Sequence, residues 1–402
     1  MCGIAGELRF DQQPADLAAL EKITHHLAPR GPDACGFHSS GPLAFGHRRL
    51  KIMDLAPASG QPMIDHQLGL SLVFNGAIYN YPELRTELQA LGYQFHSDGD
   101  TEVLLKGYHA WGEQLLPKLN GMFAFAIWER DRERLFLARD RLGIKPLYLT
   151  QDGARLRFAS TLPALLQGGG IDTGLDPVAL NHYLNFHAVV PAPRTLLRGV
   201  EKLPPASWLR LDLNGNREQQ CWWQLEFGPH RDEISLELPD WRERVLDGLR
   251  QAVSIRQRAA VDVGVLLSGG VASSLLVGLL REAGVDNLST FSIGFADAGG
   301  GVDEAEVEMA ADLVDKPLHL ALARQAHAEA HGRGEQIQVR VERVAHDGLS
   351  ECRASGDHVG EVHECAIRYA EVEVEIAQAD VAVEQQRFFA ELRERHAGER
   401  GE

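Results

Sequence analysis

The 402-residue sequence has little of what marks secreted, membrane-spanning or nucleic-acid-binding proteins. Its five cysteines are scattered and form no Cys-x-x-Cys pair, so neither a disulfide framework nor a structural zinc site is expected. No apolar run approaches the ~20 residues of a membrane span, and the N-terminus has no basic, apolar leader. Acidic residues outnumber basic ones by 57 to 40, which disfavours a nucleic-acid binder because phosphate requires a cationic face. These absences predict a cytoplasmic protein that binds neither membranes nor nucleic acid.

Proline and tryptophan become scarce in the later part of the chain. Of 18 prolines, 17 lie at or before Pro239, and all six tryptophans lie at or before Trp241. Residues 301–402 contain 23 acidic and 11 basic residues and are rich in Glu, Ala, Val, His and Arg. We therefore expect an atypical acidic segment over 301–402 and assign no fold to it. A shifted reading frame would explain the change.

The spacing of apolar residues predicts two domains. Over residues 1–215, helical spacing begins at Leu17, Pro82 and Val103, whereas apolar runs at 70–74, 123–128 and 135–138 predict strands. Residues 216–240 are expected to be a connector. Residues 241–300 follow the order helix, strand, helix, strand, which predicts a parallel α/β sheet.

Cys2 is the first candidate catalytic residue. If Met1 is removed, Cys2 carries both a thiol and a free α-amine. The amine has a reference pKa of about 7.7–8.0, so near neutral pH it can accept the thiol proton. The resulting thiolate could attack an amide carbonyl and form a thioester. A second-position cysteine alone is weak evidence, and its surroundings decide whether it matters.

Five motifs follow one another in the first 148 residues. They are Met1-Cys-Gly-Ile-Ala-Gly6, Arg30-Gly-Pro-Asp33, Gly46-His-Arg-Arg-Leu50, Phe74-Asn-Gly76 with Ile78-Tyr-Asn80, and Asp140-Arg-Leu-Gly-Ile-Lys-Pro-Leu-Tyr148. This ordered series resembles the glutamine amidotransferase domain of glutamine-dependent asparagine synthetases, which are N-terminal-nucleophile hydrolases. The resemblance implies an α+β domain with αββα layers over residues 1–215.

The resemblance also implies a role for each matching residue. Cys2 would be the nucleophile, and Asn75 and Gly76 would form the oxyanion hole. Arg49 would bind the glutamine α-carboxylate and Asp100 its α-amino group. Ala77 stands where the family pattern has glutamate, so we predict weakened glutamine binding.

The segment Ser268-Gly-Gly-Val-Ala-Ser-Ser274 is the second candidate site, because glycine amides and serine hydroxyls at a strand-to-helix turn can bind an anion. It resembles the pyrophosphate-binding loop of ATP pyrophosphatases, which implies ATP and Mg²⁺ as cofactors. The implied ATP-binding residues are Leu266, Ser268, Gly269, Gly270, Ser273, Ser274 and Ile293. Ala272 replaces the family's aspartate, and the later Ser-Gly-x-Gly-x-Asp-Glu motif is not found. We therefore expect an incomplete synthetase domain.

The resemblance predicts a glutamine-hydrolysing amidotransferase that passes ammonia to an ATP-activated carboxylate, either aspartate or N-acetylglutaminylglutamine. Two alternatives remain open: a residual glutaminase or non-catalytic regulatory protein, and a different N-terminal-nucleophile hydrolase fused to an unrelated nucleotide binder. The expected partners are glutamine, ATP and the acceptor, and a homodimer is left open. The histidines at 319, 327, 331, 346, 358 and 363 lack matched partners, so we predict no specific metal site.

Overall fold

The computed structural model describes residues 2–228, 233, 235–267, 270–285, 288–295 and 337–343. These residues belong to two compact units, the first of which ends at Gly228. Each unit is described by itself. The predicted domain limits at 215, 240 and 300 stay predictions.

The first unit contains two six-stranded antiparallel sheets. The first, called the Cys2 sheet because Cys2 precedes its strand β1, contains in spatial order β10 (Glu201–Lys202), β8 (Tyr148–Gln151), β9 (Arg155–Ala159), β1 (Gly3–Arg9), β3 (Leu43–Arg49) and β2 (Ala34–Ser40). The second, called the Asn75 sheet, contains β12 (Arg217–Cys221), β11 (Ser207–Asp212), β7 (Arg134–Arg139), β6 (Gly121–Glu129), β5 (Leu70–Ile78) and β4 (Met63–Asp65).

Helices cover the outer face of each sheet. The helices are α1 (Leu17–His26) and α5 (Leu162–Leu166) on the Cys2 sheet, α2 (Tyr81–Ala90), α3 (Asp100–Trp111) and α4 (Leu115–Lys118) on the Asn75 sheet, and α6 (Pro177–Asn185) beside a small cluster of its own. Between the sheets lies a core formed by alternate residues of both. The four layers are therefore αββα, as predicted.

Strand β6 shows why this sequence forms a buried central strand. Ala124, Ala126 and Trp128 face the core between the sheets, whereas Phe123 and Phe125 face the helices. Successive side chains of a strand point to opposite faces. Because both faces are covered, the strand is an almost continuous apolar run rather than an alternating one.

Helix α1 packs closely on strand β3 at Gly46. A Cβ at this position would lie 2.0 Å from the hydroxyl oxygen of Thr24, so only glycine fits. The close approach fixes the strand that carries the Gly46-His-Arg-Arg-Leu50 motif. Packing against α1 therefore fixes the position of β3 independently of the site residues.

The second unit contains α7 (Leu238–Arg256), β13 (Gly264–Leu266), α8 (Val271–Glu282), β14 (Ser289–Phe295) and β15 (Ile337–Arg343). Strands β13 and β14 pair in parallel, which confirms the predicted parallel α/β arrangement. Strand β15 pairs antiparallel with β14 and lies in the segment to which no fold was assigned. The six histidines at 319, 327, 331, 346, 358 and 363 lie outside the described residues.

Candidate active site

Cys2 lies half-buried immediately before β1. The backbone N–H of Leu50 donates to its Sγ at 3.3 Å, and the thiol lies 3.6 Å from the Leu50 carbonyl oxygen. The next residue must be small, because a Cβ on Gly3 would lie 2.8 Å from the Cβ of Leu27. The sulfur is thus held against the end of β3 by a backbone that tolerates no side chain beside it.

The groups around the sulfur shift the pKa of the Cys2 thiol in opposite directions. Burial raises the pKa of the Cys2 thiol above its ordinary value, and the Asp100 carboxylate raises it further. The Leu50 N–H, the N-terminal charge and the Lys145 ammonium lower it. A reactive thiolate therefore depends on the cations around this sulfur.

The Arg30-Gly-Pro-Asp33 motif fastens the N-terminus to β3. Arg30 Nε donates to the carbonyl oxygen of Cys2 at 3.3 Å. A Cβ on Gly31 would lie 2.4 Å from the carbonyl oxygen of Arg48, so the loop touches the strand backbone. The Asp33 carboxylate accepts from the Lys51 N–H at 2.8 Å. The motif's residues therefore act together to position Cys2.

Asn75 lies on β5 with 1% of its surface exposed. Neither its Nδ2 nor its Oδ1 has a hydrogen-bond partner within the described part of the chain. An unsatisfied buried carboxamide costs about 1–3 kcal/mol, so such a group signals a missing ligand. At the next position a Cβ on Gly76 would lie 2.1 Å from the Met122 carbonyl oxygen, which requires glycine.

His47 links the end of β3 to this part of β5. Its Nε2 lies 3.3 Å from the carbonyl oxygen of Phe74, the residue before Asn75. Burial lowers the pKa of His47 to about 3, so the ring is neutral at physiological pH. Its position within the Gly46-His-Arg-Arg-Leu50 motif was the only sequence signal of this role, and the role was not predicted.

Arg49 is 6% exposed, and the loop that follows folds over its guanidinium. Its two terminal nitrogens donate to the carbonyl oxygens of Asp54 at 2.7 Å and Ala56 at 3.0 Å. The Asp54 carboxylate in turn binds the Ser59 hydroxyl and the Asp98 N–H. Each terminal nitrogen of Arg49 has a second N–H that could bind a carboxylate.

Asp100 begins α3, and its carboxylate accepts from the Ile78 N–H at 2.9 Å. Burial raises the pKa of Asp100 to about 6, although its backbone hydrogen bonds oppose the rise. Ala77, the departure from the family pattern, is buried beside Ile78 on β5. A buried carboxyl group whose charge is so penalised is suited to bind a cationic ligand group.

Hydrogen bonds join the elements that carry the predicted residues of the first site. Cys2 and Arg49 meet at Leu50, His47 connects this end of β3 to the peptide before Asn75, and Asp100 is bound to the end of β5. Lys145, which the sequence placed in a motif without a role, also lies in the electrostatic range of Cys2.

The second candidate site is described only in part. Leu266 ends β13, Gly270 is the N-cap of α8, and Ile293 lies on β14. In the first turn of α8, the Ser273 hydroxyl and the Ser274 N–H both donate to the Gly270 carbonyl, at 3.0 and 3.1 Å. Ser268 and Gly269 lie outside the described residues. The parallel strands end at the edge where nucleotides bind in such sheets.

The magnesium prediction stays a prediction, because the loop that would hold the ion is described only in part. Ala272, exposed in the first turn of α8, offers no oxygen ligand where the family has aspartate. Across the described ranges there is no cluster of three His, Cys, Asp or Glu side chains able to bind a metal. Nor does this part of the chain contain a helix long and apolar enough to cross a membrane.

Comparisons with known proteins agree with the motifs. Residues 1–223 match the family model for the glutamine amidotransferase domain, and residues 244–331 match that for asparagine synthase. The second match extends to residue 331, into the acidic segment to which no fold was assigned. The chain of residues 332–402 remains outside both matches.

Similar proteins include asparagine synthetase (glutamine-hydrolysing) 1 of Bacillus subtilis, 36% identical over 78% of this chain and 49% of that protein. A putative asparagine synthetase (glutamine-hydrolysing) 2 of Methanocaldococcus jannaschii is 33% identical over 73% of this chain and 60% of that protein. The solved structure of glutamine phosphoribosylpyrophosphate amidotransferase from B. subtilis gives a TM-score of 0.43 at 18% identity, covering 76% of this chain and 70% of that chain.

The chain spans about half the length of the first of these relatives. The first family model, by contrast, covers more than half of this chain and includes all five motifs around Cys2. The chain therefore belongs to the glutamine amidotransferase domain family, and a stretch that matches the asparagine synthase family follows that domain.

Proposed function

We propose that this chain hydrolyses glutamine at Cys2 and supplies the ammonia for amide synthesis of the asparagine synthetase type. One observation carries the proposal: the buried carboxamide of Asn75 has no hydrogen-bond partner among the described residues and lies in the strand joined to the Cys2 side of the site through His47. A developing oxyanion would satisfy that donor. Such preorganised donors supply a large part of the stabilisation in acyl transfer.

In the proposed reaction the free α-amine of Cys2 takes the thiol proton. The sulfur bonds to the carboxamide carbon of glutamine, and the carbonyl oxygen becomes an oxyanion held by Asn75 and the Gly76 N–H. The carbon–nitrogen bond breaks, and the α-ammonium returns its proton to the leaving ammonia. Water then attacks the thioester, the amine takes a water proton, and glutamate leaves while Cys2 is restored.

Arg49 and Asp100 are proposed to hold the two ends of the glutamine backbone. Arg49 is already fixed by the 54–56 loop, so binding the α-carboxylate would order few additional groups. The ammonium of glutamine would favour the charged form of Asp100, which burial disfavours. Both residues thus suit an amino-acid substrate better than a neutral amide.

For the second half, the proposal is that ATP and a carboxylate form an acyl-adenylate and pyrophosphate, after which ammonia displaces AMP. The match at 244–331 and the named relatives support this reaction. Aspartate and N-acetylglutaminylglutamine are both candidate acceptors. No step is assigned to Mg²⁺, because the described residues do not provide its ligands.

Ala272 favours a second candidate function, glutamine hydrolysis without amide synthesis. The exposed first turn of α8 lacks the carboxylate that would orient a metal–pyrophosphate group.

A cytoplasmic location fits either candidate, because the Cys2 thiol must stay reduced and Cys2, Cys35 and Cys221 are free.

The test uses the full chain beginning at Cys2 and measures glutamate release from glutamine. Cys2→Ser should remove the activity, while Cys35→Ser, at an exposed thiol, should retain it. Unchanged glutamate release in Cys2→Ser would contradict the proposal. Adding ATP and each acceptor separates the two functions: acceptor-dependent AMP supports synthesis, and its absence favours the glutaminase alone.

A further inference from the structure

Strand β5 carries the proposed oxyanion donors, but its neighbour β4 ends before it reaches them. Strand β4 pairs with residues 70–72 of β5 and is the last strand of the described Asn75 sheet. Backbone groups at such an edge need other partners when they are buried. Whatever binds this edge of β5 therefore determines where the donors point.

The register of β5 and β6 shows that the Gly76 N–H faces this open edge. Phe123 stands opposite Gly76, and both its N–H and its carbonyl oxygen bind Asp140, on the side of β6 away from β5. In an antiparallel ladder, opposed residues alternate between pairs that exchange hydrogen bonds and pairs that do not. Gly76 and Phe123 form a pair of the second kind, so the Gly76 N–H points away from β6.

The N–H groups on either side of Gly76 along this edge are both bound by side chains. The Ile78 N–H donates to the Asp100 carboxylate at 2.9 Å. The Phe74 N–H donates to Oε1 of Gln61 at 2.6 Å. The Gly76 N–H therefore lies between two fixed neighbours.

Gln61 takes the place of a strand residue in this contact. The register that pairs Met63 with Leu72 would, if continued, place Gln61 opposite Phe74. A Cβ on Gly36 would lie 2.1 Å from the Gln61 carbonyl oxygen, so the Gln61 backbone lies against β2. Its side-chain amide then supplies the acceptor that a further residue of β4 would otherwise offer.

The contact with Phe74 is buried, and Gln61 is the residue that satisfies it. Phe74 is 2% exposed, so its N–H would have little access to water if the Gln61 oxygen were removed. The Nε2 of the same amide lies 3.5 Å from the Thr101 hydroxyl oxygen, at the start of α3. Gln61 lies outside the five motifs around Cys2, and the proposed mechanism gives it no task.

We propose that Gln61 is a positioning residue that keeps the Asn75 carboxamide and the Gly76 N–H directed at the oxyanion. This inference rests on the proposed glutaminase function. Gln61 acts through the Phe74 peptide and not on the substrate, because the two donors directly follow that peptide. A small displacement of such donors lowers the rate, since they stabilise the oxyanion only at hydrogen-bond distance.

The test compares Gln61→Leu, which removes the acceptor, with Gln61→Glu, which keeps an acceptor oxygen at the same reach. Gln61 is partly exposed, so a carboxylate can be accommodated there. The matched control is Thr195→Val, because the buried Thr195 hydroxyl also accepts from a backbone N–H, that of Leu197 at 3.1 Å. Glutamate release gives kcat and KM in the full chain beginning at Cys2, and thermal melting reports on folding.

We expect Gln61→Leu to lower kcat for glutamine by about ten- to thirtyfold and to change KM by less than about twofold, because Arg49 and Asp100 bind the substrate backbone. Gln61→Glu should stay within about threefold of the wild-type kcat, because it retains the acceptor for Phe74. Thr195→Val should lower the melting temperature and keep the wild-type kcat.

A second measurement places Gln61→Leu in the Asn75→Ala background. The loss of kcat there should be at least about threefold smaller than in the wild type, because the part of the effect that acts through Asn75 is already absent. A loss of stability alone would not produce this difference between backgrounds.

A wild-type kcat in Gln61→Leu, or an equal loss in the two backgrounds, would overturn the inference and leave the proposed function standing. A Gln61→Glu variant as slow as Gln61→Leu would overturn it as well. If Gln61→Leu does not fold, Gln61→Asn, with its shorter side chain, replaces it and is judged by the same outcomes. Glutamate release that survives Cys2→Ser would instead overturn the proposed function, and the inference with it.

Discussion

The two units differ in what they bury. In the first unit, Arg49, Asn75, Asp100 and Lys145 are buried, and backbone hydrogen bonds hold the Arg49 and Asp100 side chains. In the described residues of the second unit the buried polar side chains are Ser289 and Thr290. Electrostatic interactions are stronger where water is excluded, so the buried polar groups of the first unit interact more strongly than exposed ones do.

Glycines show the same contrast in packing. A Cβ on Gly31 or Gly46 in the first unit would overlap neighbouring atoms at 2.4 and 2.0 Å. Around Gly248 and Gly278, in the helices of the second unit, a Cβ would meet nothing within 4 Å. The first unit uses glycine to bring backbones together, whereas at these two positions the second unit does not.

The largest effect is expected from Asn75→Ala in the first unit. Loss of an oxyanion donor should reduce kcat for glutamine by about a hundred- to a thousandfold. Asn80→Ala is the control, because the Asn80 carboxamide donates to the Lys118 carbonyl and accepts from the Asn120 N–H. Steady-state glutaminase kinetics check both, and a tenfold or smaller effect in Asn75→Ala would remove Asn75 from the oxyanion hole.

His47→Gln tests whether buried polar groups set the acid stability of the first unit. The pKa of His47 is about 3 when folded and 6.5 ordinarily, so the unfolded chain binds the extra proton and stability falls from pH 6.5 toward 3. The glutamine side chain at position 47 keeps a donor for the Phe74 carbonyl. The variant should therefore avoid roughly 2–4 kcal/mol of the acid-induced loss in the free energy of unfolding. Denaturant unfolding at a series of pH values measures it. The exposed His26→Gln should change nothing, and an equal slope in both variants would refute the account.

Asp100→Asn should act in the opposite pH direction. Burial raises the folded pKa of Asp100 to about 6 from 3.8, so its contribution to stability is lost as pH rises from about 4 to 6. Asparagine should therefore stabilise the unit at pH 7 by roughly 1–3 kcal/mol, with no gain below pH 4. The KM for glutamine should rise at the same time. Asp98→Asn, two residues away and exposed, is the control, and a gain independent of pH would contradict the assignment.

Ala77→Glu restores the glutamate of the family pattern and tests whether its absence weakens glutamine binding. A second carboxylate near Asp100 should bind the glutamine ammonium and lower KM by about three- to tenfold. Ala77→Gln supplies the same bulk without charge and should not lower KM. A glutamine titration that shows no fall in Ala77→Glu would mean that the missing carboxylate does not weaken binding.

The smallest expected effect is in the second unit. Gly248→Ala in α7 and Gly278→Ala in α8 should each stabilise it by about 0.5–1 kcal/mol, because alanine loses less conformational entropy in a helix. Denaturant unfolding followed in the full chain measures the change. Gly46→Ala should instead destabilise the first unit, and equal effects at all three positions would refute the contrast in packing.

Much of the fold was predictable because apolar spacing is a local property. The strand runs at 70–74 and 123–128 and the helix beginning near Leu17 all appear in the structure. The strand at Ile337–Arg343 was not predicted, because its pairing with β14 joins residues far apart in the sequence. Pairing of that kind depends on the partner strand rather than on local composition.

The candidate site was predictable in part for the same reason. Cys2, Arg49, Asn75 and Asp100 stand in ordered motifs, and the fold bonds Leu50 to the Cys2 sulfur and Asp100 to the end of β5. His47 received no role, although its motif was named, because only the contact with Phe74 shows what its ring does. The magnesium prediction came from resemblance and stays a prediction, because Ser268 and Gly269 of the loop lie outside the described residues.

The sequence by itself indicated a candidate nucleophile and a family, and the family resemblance implied the four-layer fold. Motifs and apolar periodicity are local properties, so they can be recognised without the structure. Only the folded chain decided that the Asn75 amide has no partner among the described residues, and that Asp100 and His47 have displaced pKa values. Those properties depend on how much water is excluded and on which distant groups face each other. Neither quantity exists until the sheets have packed.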